Sequence, residues 1–243
     1  MSQDVISLYK PDIELLEQTD PSFTSVLEKR KSIRSYGTPI GGKELGEFLY
    51  RVGRVRAVAR PDPERGLFYE ISSRPYPSGG AAYELEIYLT INTCPPIQPG
   101  IYHYNPLAHE LCRISGKRYQ AETLLKDAWA AAGKRVVPQV LITLTSRFQR
   151  LSWKYSAIAY ATTLKNVGVL FQTMYLAATA MGLAPCALGG GNSDLFTEAV
   201  GLDHLEESPV GEFMLGTSPD QDHKSNQFGD VEETANWPAG GAT

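Results

Sequence analysis

The feature that most constrains this fold is an unusually apolar segment, residues 156–181. Apolar residues recur along it at the three- and four-residue spacing of a helix face, so it predicts a helix. Other apolar residues fall off that face, namely Val169, Leu170 and Leu176. A helix that is apolar nearly all round must be covered nearly all round. In a chain of 243 residues, the simplest cover is a second copy, so the sequence predicts a homodimer.

Composition and charge exclude several classes of protein. The segment is interrupted by Lys165, Asn166 and Gln172, whereas a membrane-spanning helix needs about 20 predominantly apolar residues. A formal net charge of −4 gives no reason to expect a nucleic acid or an anionic membrane as partner. The N-terminus lacks the apolar core of a secretory signal, and the three cysteines show no CxxC spacing. We therefore expect a cytoplasmic protein with reduced thiols.

The rest of the chain mixes helices and strands without regular alternation, which favours an α+β fold. We expect one domain over residues 1–216 and a polar tail over 217–243. Periodicity, capping residues and turn signals predict the further elements. The predicted helices span residues 22–34, 41–59, 118–133 and 193–201. A proline- and arginine-rich loop is expected at 60–80. The predicted strands span residues 83–92, 138–146 and 210–216, and a hairpin spans 100–115.

The first segment with possible chemistry is "RKSIR", at the end of the predicted helix 22–34. Arg30 and Arg34 would share a helix face, with Lys31 and Ser32 between them. Paired guanidinium groups and a hydroxyl suit a phosphate. The alternative is that cations collect at a helix C-terminus because they complement its dipole.

Two glycine-containing segments could approach a flat ligand. "PSGG", residues 77–80, enters the strand 83–92, and "ALGGG", residues 187–191, precedes a short helix. Glycine lets a ring lie close to the backbone. The alternatives are an ordinary turn and an ordinary helix end. Neither segment matches a Rossmann or Walker pattern.

The fourth segment is Lys154-Tyr155, at the start of the apolar helix. Desolvation and the positive end of the helix dipole would favour a neutral amine, and a neutral amine is a base. A neighbouring phenol could share its proton. The alternative is a solvated surface pair. The four histidines lack metal-ligand spacing, so no metal is expected.

Together and in this order, the segments resemble the nitroreductase-type flavoproteins, and most closely their azoline-oxidase branch, the SagB-type thiazoline/oxazoline dehydrogenases. The resemblance runs from about Phe23 to Gly216. It is carried by "RKSIRSYG", "PSGGAAYELEIY", "GIYHYNPLAHEL", "WKYSAIAY", "CALGGGNSDLF" and "VGEFMLG".

The resemblance implies flavin mononucleotide (FMN) bound between the two subunits of an obligate homodimer, in a nitroreductase-like fold with a mostly antiparallel sheet flanked by helices. The phosphate and ribityl chain would be held by Arg30, Lys31, Ser32 and Arg34. One side of the isoalloxazine ring would contact four residues of the second subunit, namely Pro77, Ser78, Gly79 and Gly80. Its other side would meet Ala187, Leu188, Gly189 and Gly190.

The implied reaction is oxidation of a thiazoline or oxazoline ring in a peptide to the azole. Lys154, assisted by Tyr155, would remove a ring proton while N5 of the flavin accepts a hydride, and oxygen would reoxidise the flavin. A carrier domain of a nonribosomal peptide synthetase, or a cyclodehydratase complex, would present the substrate. We favour the carrier domain, because an N-terminal peptide-binding domain is not seen.

This chain departs from the family pattern in two places. Glu84 stands where proline is frequent, and only Lys224 could supply the C-terminal cation that many relatives place on the phosphate. Two rival hypotheses stay open. One is an NAD(P)H-dependent nitroreductase or quinone reductase, and the other is a scaffold subunit that binds no flavin.

Overall fold

The structure is a computed structural model that describes residues 4–66, 68–114 and 118–219. Its centre is a seven-stranded sheet in which every neighbouring pair of strands is antiparallel. The strands are β1 (Val5–Ser7), β2 (Ala57–Ala59), β3 (Ile71–Ser73), β4 (Leu85–Ile91), β5 (Gly100–Asn105), β6 (Glu110–Arg113), β7 (Val140–Arg147), β8 (Leu183–Leu188) and β9 (Glu207–Thr217). The order in the sheet is β1-β6-β5-β4-β7-β9-β8, and β2 and β3 form a separate hairpin.

Helices cover both faces of this sheet. They are α1 (Ile13–Thr19), α2 (Phe23–Lys29), α3 (Gly42–Gly53), α4 (Arg118–Ala131), α5 (Gln149–Tyr155), α6 (Ala159–Ala180) and α7 (Ser193–Val200). On one face, α3 and α6 pack against the sheet in the larger apolar cluster. On the other face, α4 and α7 pack in a second cluster. The predicted α+β fold with a central antiparallel sheet is therefore confirmed.

The centre of the sheet agrees with the sequence pattern. Every residue of β4 is buried, and β7 is buried except at Arg147. A strand covered on both faces is expected to be apolar without interruption, as the run "VLITL" in β7 is. The predicted hairpin is also present, as β5 and β6 joined through residues 106–109.

Two predicted helices end earlier than expected. α2 stops at Lys29, because the chain then runs extended beside β8, where the Ile33 N–H donates to the carbonyl oxygen of Pro185 at 2.8 Å. α3 stops at Gly53, and residues 57–59 pair with residues 71–73 instead. The expected loop at 60–80 therefore contains β3 as well as irregular backbone.

The long apolar segment also differs from its prediction. The separate helix α5 precedes it, the segment begins with a single 3₁₀ turn at Ser156–Ile158, and α6 starts only at Ala159. The face of α6 towards the sheet is buried, but Tyr160 is 63% exposed and Leu164 is 45% exposed. In this single chain the outer face is thus uncovered, and the homodimer stays a prediction.

The end of the chain extends the sheet further than expected. β9 runs to Thr217, the first residue of the predicted tail, whereas residues 220–243, including Lys224, lie outside the described part. None of the helices among the described residues is long and apolar enough to cross a membrane.

Candidate active site

Buried polar side chains hold the loop at residues 77–80 against α6. The Gly79 N–H donates to Oδ1 of Asn166 at 3.1 Å, and Nδ2 of Asn166 donates to Oε1 of Glu84 at 2.7 Å. Oγ of Ser78 donates to the other oxygen of Glu84 at 3.1 Å. Glu84 is fully buried, and a buried carboxyl group is costly unless it is hydrogen-bonded. Glu84, which stands where the family pattern often has proline, thus has a structural role, because its side chain joins the loop to α6.

Lys154 and Tyr155 meet this loop at Gly80. A Cβ placed on Gly80 would lie 2.8 Å from Nζ of Lys154 and 2.8 Å from the hydroxyl oxygen of Tyr155. Gly80 also has a φ of +59°, which favours glycine. Two of the segments singled out in the sequence therefore come together within one chain.

The backbone around this meeting point is strained. Ala81, Tyr83 and Ser156 all have positive φ, at 53°, 46° and 45°. A residue with a side chain adopts this region at a cost on the order of 1–3 kcal/mol. Ala81 and Tyr83 follow the loop, and Ser156 follows Tyr155. Backbone strain of this kind concentrates at functional sites, which favours a functional role for the pair.

The setting of Lys154 corrects the reasoning from sequence. Lys154 lies in the last turn of α5 and not at the N-terminus of the apolar helix, so the argument from the positive end of the dipole was wrong. Its side chain is exposed in the single chain, with Nζ 3.5 Å from the hydroxyl oxygen of Tyr69. Desolvation of the amine therefore requires a ligand or a second protein chain that covers the Lys154 side chain.

The basic segment at residues 30–34 is extended, so the prediction that Arg30 and Arg34 share a helix face was wrong. Arg30 ends α2, and its guanidinium lies 5.3 Å from the centre of the Tyr175 ring. Lys31 is exposed, and Arg34 is half-buried beside the thiol of Cys186. The cations are thus spread along the edge of β8.

Tyr175 joins this basic segment to the second glycine-containing segment. Its hydroxyl group is hydrogen-bonded to Oγ of Ser32 at 2.7 Å and accepts from the Ala187 N–H at 2.8 Å. Ala187 lies near the end of β8, directly before the glycines. The residues expected to bind a phosphate and those expected to cover a ring therefore lie at one place in the fold.

The glycines after β8 leave their backbone accessible. A Cβ on Gly189 or Gly190 would have no atom within 4 Å. Gly191, in contrast, lies directly against the carboxyl group of Glu212 on β9. Burial raises the pKa of Glu212 to about 7, and the charge of Asp127 adds to the rise. A buried acid with a raised pKa beside an open loop is a feature that the sequence analysis missed.

The sequence carried some signal for the missed residues. Asn166 is a polar residue inside an apolar helix, and Glu212 is an acidic residue inside the apolar run "VGEFMLG". Both positions are buried, which a lone polar residue in such a run can indicate. Tyr175 gave no signal, because its ring fits the apolar stripe of the helix.

The four segments form two groups along α6. We call Gly79, Gly80, Lys154 and Tyr155 the lysine site, and we call residues 30–34 with residues 187–190 the arginine site. Asn166 contacts the first and Tyr175 the second. Nine residues of helix separate them by about 14 Å.

The two groups together fit FMN. The arginine site offers cations for a phosphate and unobstructed backbone for a flat ring. The lysine site offers a further glycine-containing loop with an amine and a phenol beside it.

Comparison with known proteins gives a family for this arrangement. Residues 27–217 match the model of the nitroreductase family. The chain is 30% identical over 190 residues to MJ1384 of Methanocaldococcus jannaschii, a candidate nitroreductase, and the match covers 76% of this chain and 85% of that protein. A crystal structure of a nitroreductase candidate from Ralstonia eutropha JMP134 superposes with a TM-score of 0.67 at 20% identity, covering 88% of this chain and 89% of that one.

A second relative belongs to an enzyme complex. The microcin B17-processing protein McbC of Escherichia coli is 27% identical over 162 residues, which cover 64% of this chain and 56% of McbC. A chain of the E. coli microcin synthetase McbBCD complex, solved with truncated pro-MccB17 bound, superposes with a TM-score of 0.61. That match has 20% identity and covers 88% of this chain and 84% of that one. The structural likenesses, at 20% identity, show a shared fold. The family match over residues 27–217 decides the assignment, and the chain belongs to the nitroreductase family.

Proposed function

We propose that this protein is an FMN-dependent azoline oxidase of the SagB type, which converts a thiazoline or oxazoline ring in a peptide to the corresponding azole. The observation that carries the proposal is the meeting of Lys154 Nζ and Tyr155 OH at Gly80. A base beside the flavin loop is what removal of a ring proton requires. The similarity to the microcin-processing protein McbC supports the same substrate class.

The side chains of the lysine site have separate tasks in this reaction. Conversion of an azoline to an azole removes two protons and two electrons from the ring. Lys154 takes the proton from the ring carbon, and the adjacent phenol of Tyr155 shares it and passes it on. Because Gly80 has no side chain, it leaves space for the Lys154 amine and the Tyr155 phenol to reach the substrate. FMN, when bound, supplies the two-electron acceptor, and we expect molecular oxygen to reoxidise it.

The arginine site would hold the cofactor. Arg30, Lys31 and Arg34 supply positive charge for the phosphate, and Ser32 supplies a hydroxyl group. Residues 187–190 would cover one side of the ring, with open backbone at Gly189 and Gly190, while the Ala187 N–H stays hydrogen-bonded to Tyr175. The other side would be covered by Pro77, Ser78, Gly79 and Gly80 of a second copy.

A homodimer would also cover the apolar surface that a single chain leaves exposed. Large apolar side chains are exposed on α2, on α6 and on the turn before α6. They are Phe23, Ile158, Tyr160 and Leu164. Their burial in an interface would desolvate the neighbouring Lys154 and favour its action as a base.

The substrate would be a peptide held by another protein. A carrier domain of a peptide synthetase or a cyclodehydratase complex could present the ring to Lys154. The microcin synthetase McbBCD complex, which was solved with truncated pro-MccB17 bound, supports a substrate that is presented within an assembly. The proposed place of action is the cytoplasm, and no nucleic acid or membrane takes part.

Lys154→Ala is the decisive variant. We expect azoline oxidation, measured by mass spectrometry as a loss of two hydrogens in air, to fall by roughly 100- to 10,000-fold, because a general base contributes about that much. Flavin absorbance should be retained, since Lys154 lies outside the arginine site. Lys126→Ala on α4 removes an exposed lysine elsewhere and should leave the rate unchanged. Full activity of Lys154→Ala would contradict the proposal.

The similarity to MJ1384 favours a second candidate, an NAD(P)H-dependent nitroreductase or quinone reductase. Such a reductase transfers electrons through the flavin and does not need the Lys154 amine. Reduction of a nitroarene or a quinone by Lys154→Ala at the wild-type rate, together with no oxidation of any azoline by the wild type, would establish that activity instead. A colourless protein that cannot be loaded with FMN would leave a scaffold role.

A further inference from the structure

A cleft opens beside Lys154, on the side where the β2–β3 hairpin, the end of β5 and α5 meet. It has a volume of about 610 Å³, which is in the range of small-molecule sites. Gly80 and Lys154 both line it, so the cleft and the lysine site share the amine. A ring that contacts Nζ of Lys154 would leave the rest of its chain in this space. We call this space the lysine cleft.

The charge of the lysine cleft is opposite to that of the whole protein. Among the described residues, its cations are Arg74, Arg147, Arg150 and Lys154, and its carboxyl groups are Glu70 and Glu86. Counting Lys, Arg, Asp and Glu alone, the formal charge of this lining is +2, whereas the chain carries −4. A positive cleft in an acidic protein draws an anionic ligand towards it.

Two of these cations are already paired. Nε of Arg147 lies 3.2 Å from Glu86 and 2.9 Å from Glu207, and Nη1 of Arg150 lies 3.1 Å from Glu86. Burial disfavours the ionised form of Glu86, but the hydrogen bond from His103 and the charge of Arg147 outweigh it and lower its pKa. The carboxylate is therefore charged and neutralises part of this pair of arginines.

Of the other two cations of the cleft, Lys154 is the proposed base, and Arg74 has no role in the proposed reaction. Its guanidinium lies 5.1 Å from the centre of the Tyr83 ring, which fixes its position. It makes no ion pair among the described residues, and its Nε is buried without a hydrogen-bond partner there. A buried donor without a partner costs about 1–3 kcal/mol. Arg74 lines the cleft without an anionic partner, and an oxyanion that enters the cleft would supply one.

Aromatic side chains form the wall next to the amine. The rings of Tyr69 and Trp153 are 5.4 Å apart and nearly perpendicular, and Trp153 is exposed. Both line the cleft, and the Tyr69 hydroxyl oxygen lies 3.5 Å from Lys154 Nζ. A flat heterocycle would be held by such rings, while a charged group on the same molecule would be held by Arg74.

We propose that Arg74 determines substrate specificity by binding an oxyanion that is covalently attached to the azoline-bearing chain. The inference rests on the proposed function, which supplies the azoline. The oxyanion is either a carboxylate of the peptide or the phosphate of a pantetheine arm that carries it. Both have the same chemistry, because a guanidinium binds either through paired N–H groups.

The test compares two anionic ligands with a neutral one. A short peptide ending in a thiazole carboxylate, its primary amide, and the same thiazole as a thioester of phosphopantetheine are titrated into the FMN-loaded protein by calorimetry. We expect one or both anionic ligands to bind roughly 10- to 100-fold more tightly than the amide, since a hydrogen bond to a charged group contributes about 1.5–3 kcal/mol. Arg74→Gln should remove this preference and leave binding of the amide unchanged.

Two further variants make the result specific. Arg74→Lys keeps the charge and should retain part of the preference, which would exclude a mere loss of folding. Arg56→Gln removes an exposed cation on the same hairpin that does not line the cleft, and it should retain all of the preference. A preference that survives in Arg74→Gln, or that is absent from the wild type, would overturn the proposal. The anionic ligand that loses affinity in Arg74→Gln identifies the source of the oxyanion.

Binding and turnover separate this inference from the proposed function. Oxidation of thiazolines by the wild type without any charge preference would overturn the role of Arg74 alone. A charge preference that depends on Arg74, in a protein that oxidises no azoline, would support the role of Arg74 and overturn the reaction.

Discussion

A buried carboxyl group lies beside each of the two sites, and the surroundings of the two groups differ. Glu84 contacts the loop of the lysine site, and Glu212 on β9 lies against Gly191, next to the glycines of the arginine site. At the lysine site, Glu84 receives hydrogen bonds from Ser78 and Asn166. At the arginine site, Glu212 has no hydrogen-bond or ion-pair partner among the described residues, and Asp127 adds a like charge nearby. One acid holds a loop in place, whereas burial and a like charge raise the pKa of the other to about 7, so it is only partly ionised near neutral pH.

This difference indicates how each site is completed. The lysine site is built within one chain, from a strained loop that a satisfied polar network holds in place. The arginine site has unobstructed glycines and an acid without a partner. We therefore expect the lysine site to lose activity when its geometry is changed. We expect the arginine site to respond instead to the binding of its ligand and to the protonation of Glu212.

The largest expected effect comes from adding one methyl group at the lysine site. In Gly80→Ala the new Cβ would lie 2.8 Å from Lys154 Nζ and from the Tyr155 hydroxyl oxygen, so both must move. We expect turnover to fall by about 100-fold, because a displacement near 1 Å can cost that much. The free energy of unfolding should fall by only about 1 kcal/mol, the penalty of a positive φ. Activity assays and urea denaturation measure the two effects.

Gly190→Ala is the matched change at the arginine site. A Cβ there would have no neighbour within 4 Å, so the free energy of unfolding should stay within about 0.5 kcal/mol of the wild type. Equal losses of stability in the two variants would show that the two loops do not differ as described.

The second prediction concerns the pH dependence of stability at the arginine site. Glu212 has a pKa of about 7 in the folded chain against a reference value of 4.5. Between these values the unfolded chain loses the proton first, so the free energy of unfolding decreases as the pH rises from 4.5 to 7. Two and a half pKa units correspond to about 3 kcal/mol as an upper limit. Glu212→Gln cannot ionise, so it should lose much less stability than the wild type between pH 5 and pH 8.

Urea denaturation at several pH values measures this difference. Glu206→Gln removes an exposed carboxyl group from the residues just before β9 and should keep the wild-type pH dependence. If Glu212→Gln and the wild type lose the same free energy over this range, Glu212 is ionised at neutral pH and the contrast with Glu84 disappears.

The sequence predicted the fold best where one physical requirement dominates. β7 is buried on both faces, so its apolar run could form little else. The hairpin of β5 and β6 follows from its turn residues. In contrast, β2 and β3 have three residues each and no buried position, so they left no periodic pattern. Ser156 separates α5 from the apolar segment with a φ of +45°, and a serine in the sequence does not indicate such a break.

For the candidate site, the sequence predicted the chemical roles of the residues but not their spatial arrangement. The residue types at positions 30–34 and 154–155 indicated anion binding and a base, and these residues do lie beside the glycine-containing segments. Their local structure was not predictable, because cations suit an extended edge as well as a helix end. Asn166, Glu84 and Tyr175, which hold the segments together, act through contacts between residues far apart in the chain. Spacing within a segment cannot reveal such contacts.

The smallest expected effect tests whether the arginine site is completed by a phosphate. Lys31 is exposed, and no hydrogen bond or ion pair involves it among the described residues, so its charge is available to a ligand. We expect Lys31→Gln to weaken FMN binding roughly tenfold, the effect of one charged hydrogen bond, and to leave the free energy of unfolding of the flavin-free protein unchanged. Lys29→Gln, in the last turn of α2, removes an equally exposed lysine and should weaken FMN binding less. Quenching of flavin fluorescence on titration gives both affinities.

Because salt screens an exposed phosphate contact, the difference in FMN affinity between the two variants should shrink at high ionic strength. Equal affinities at low ionic strength would mean that the phosphate lies elsewhere, and the arginine site would then lose its proposed ligand while the lysine site kept its geometry.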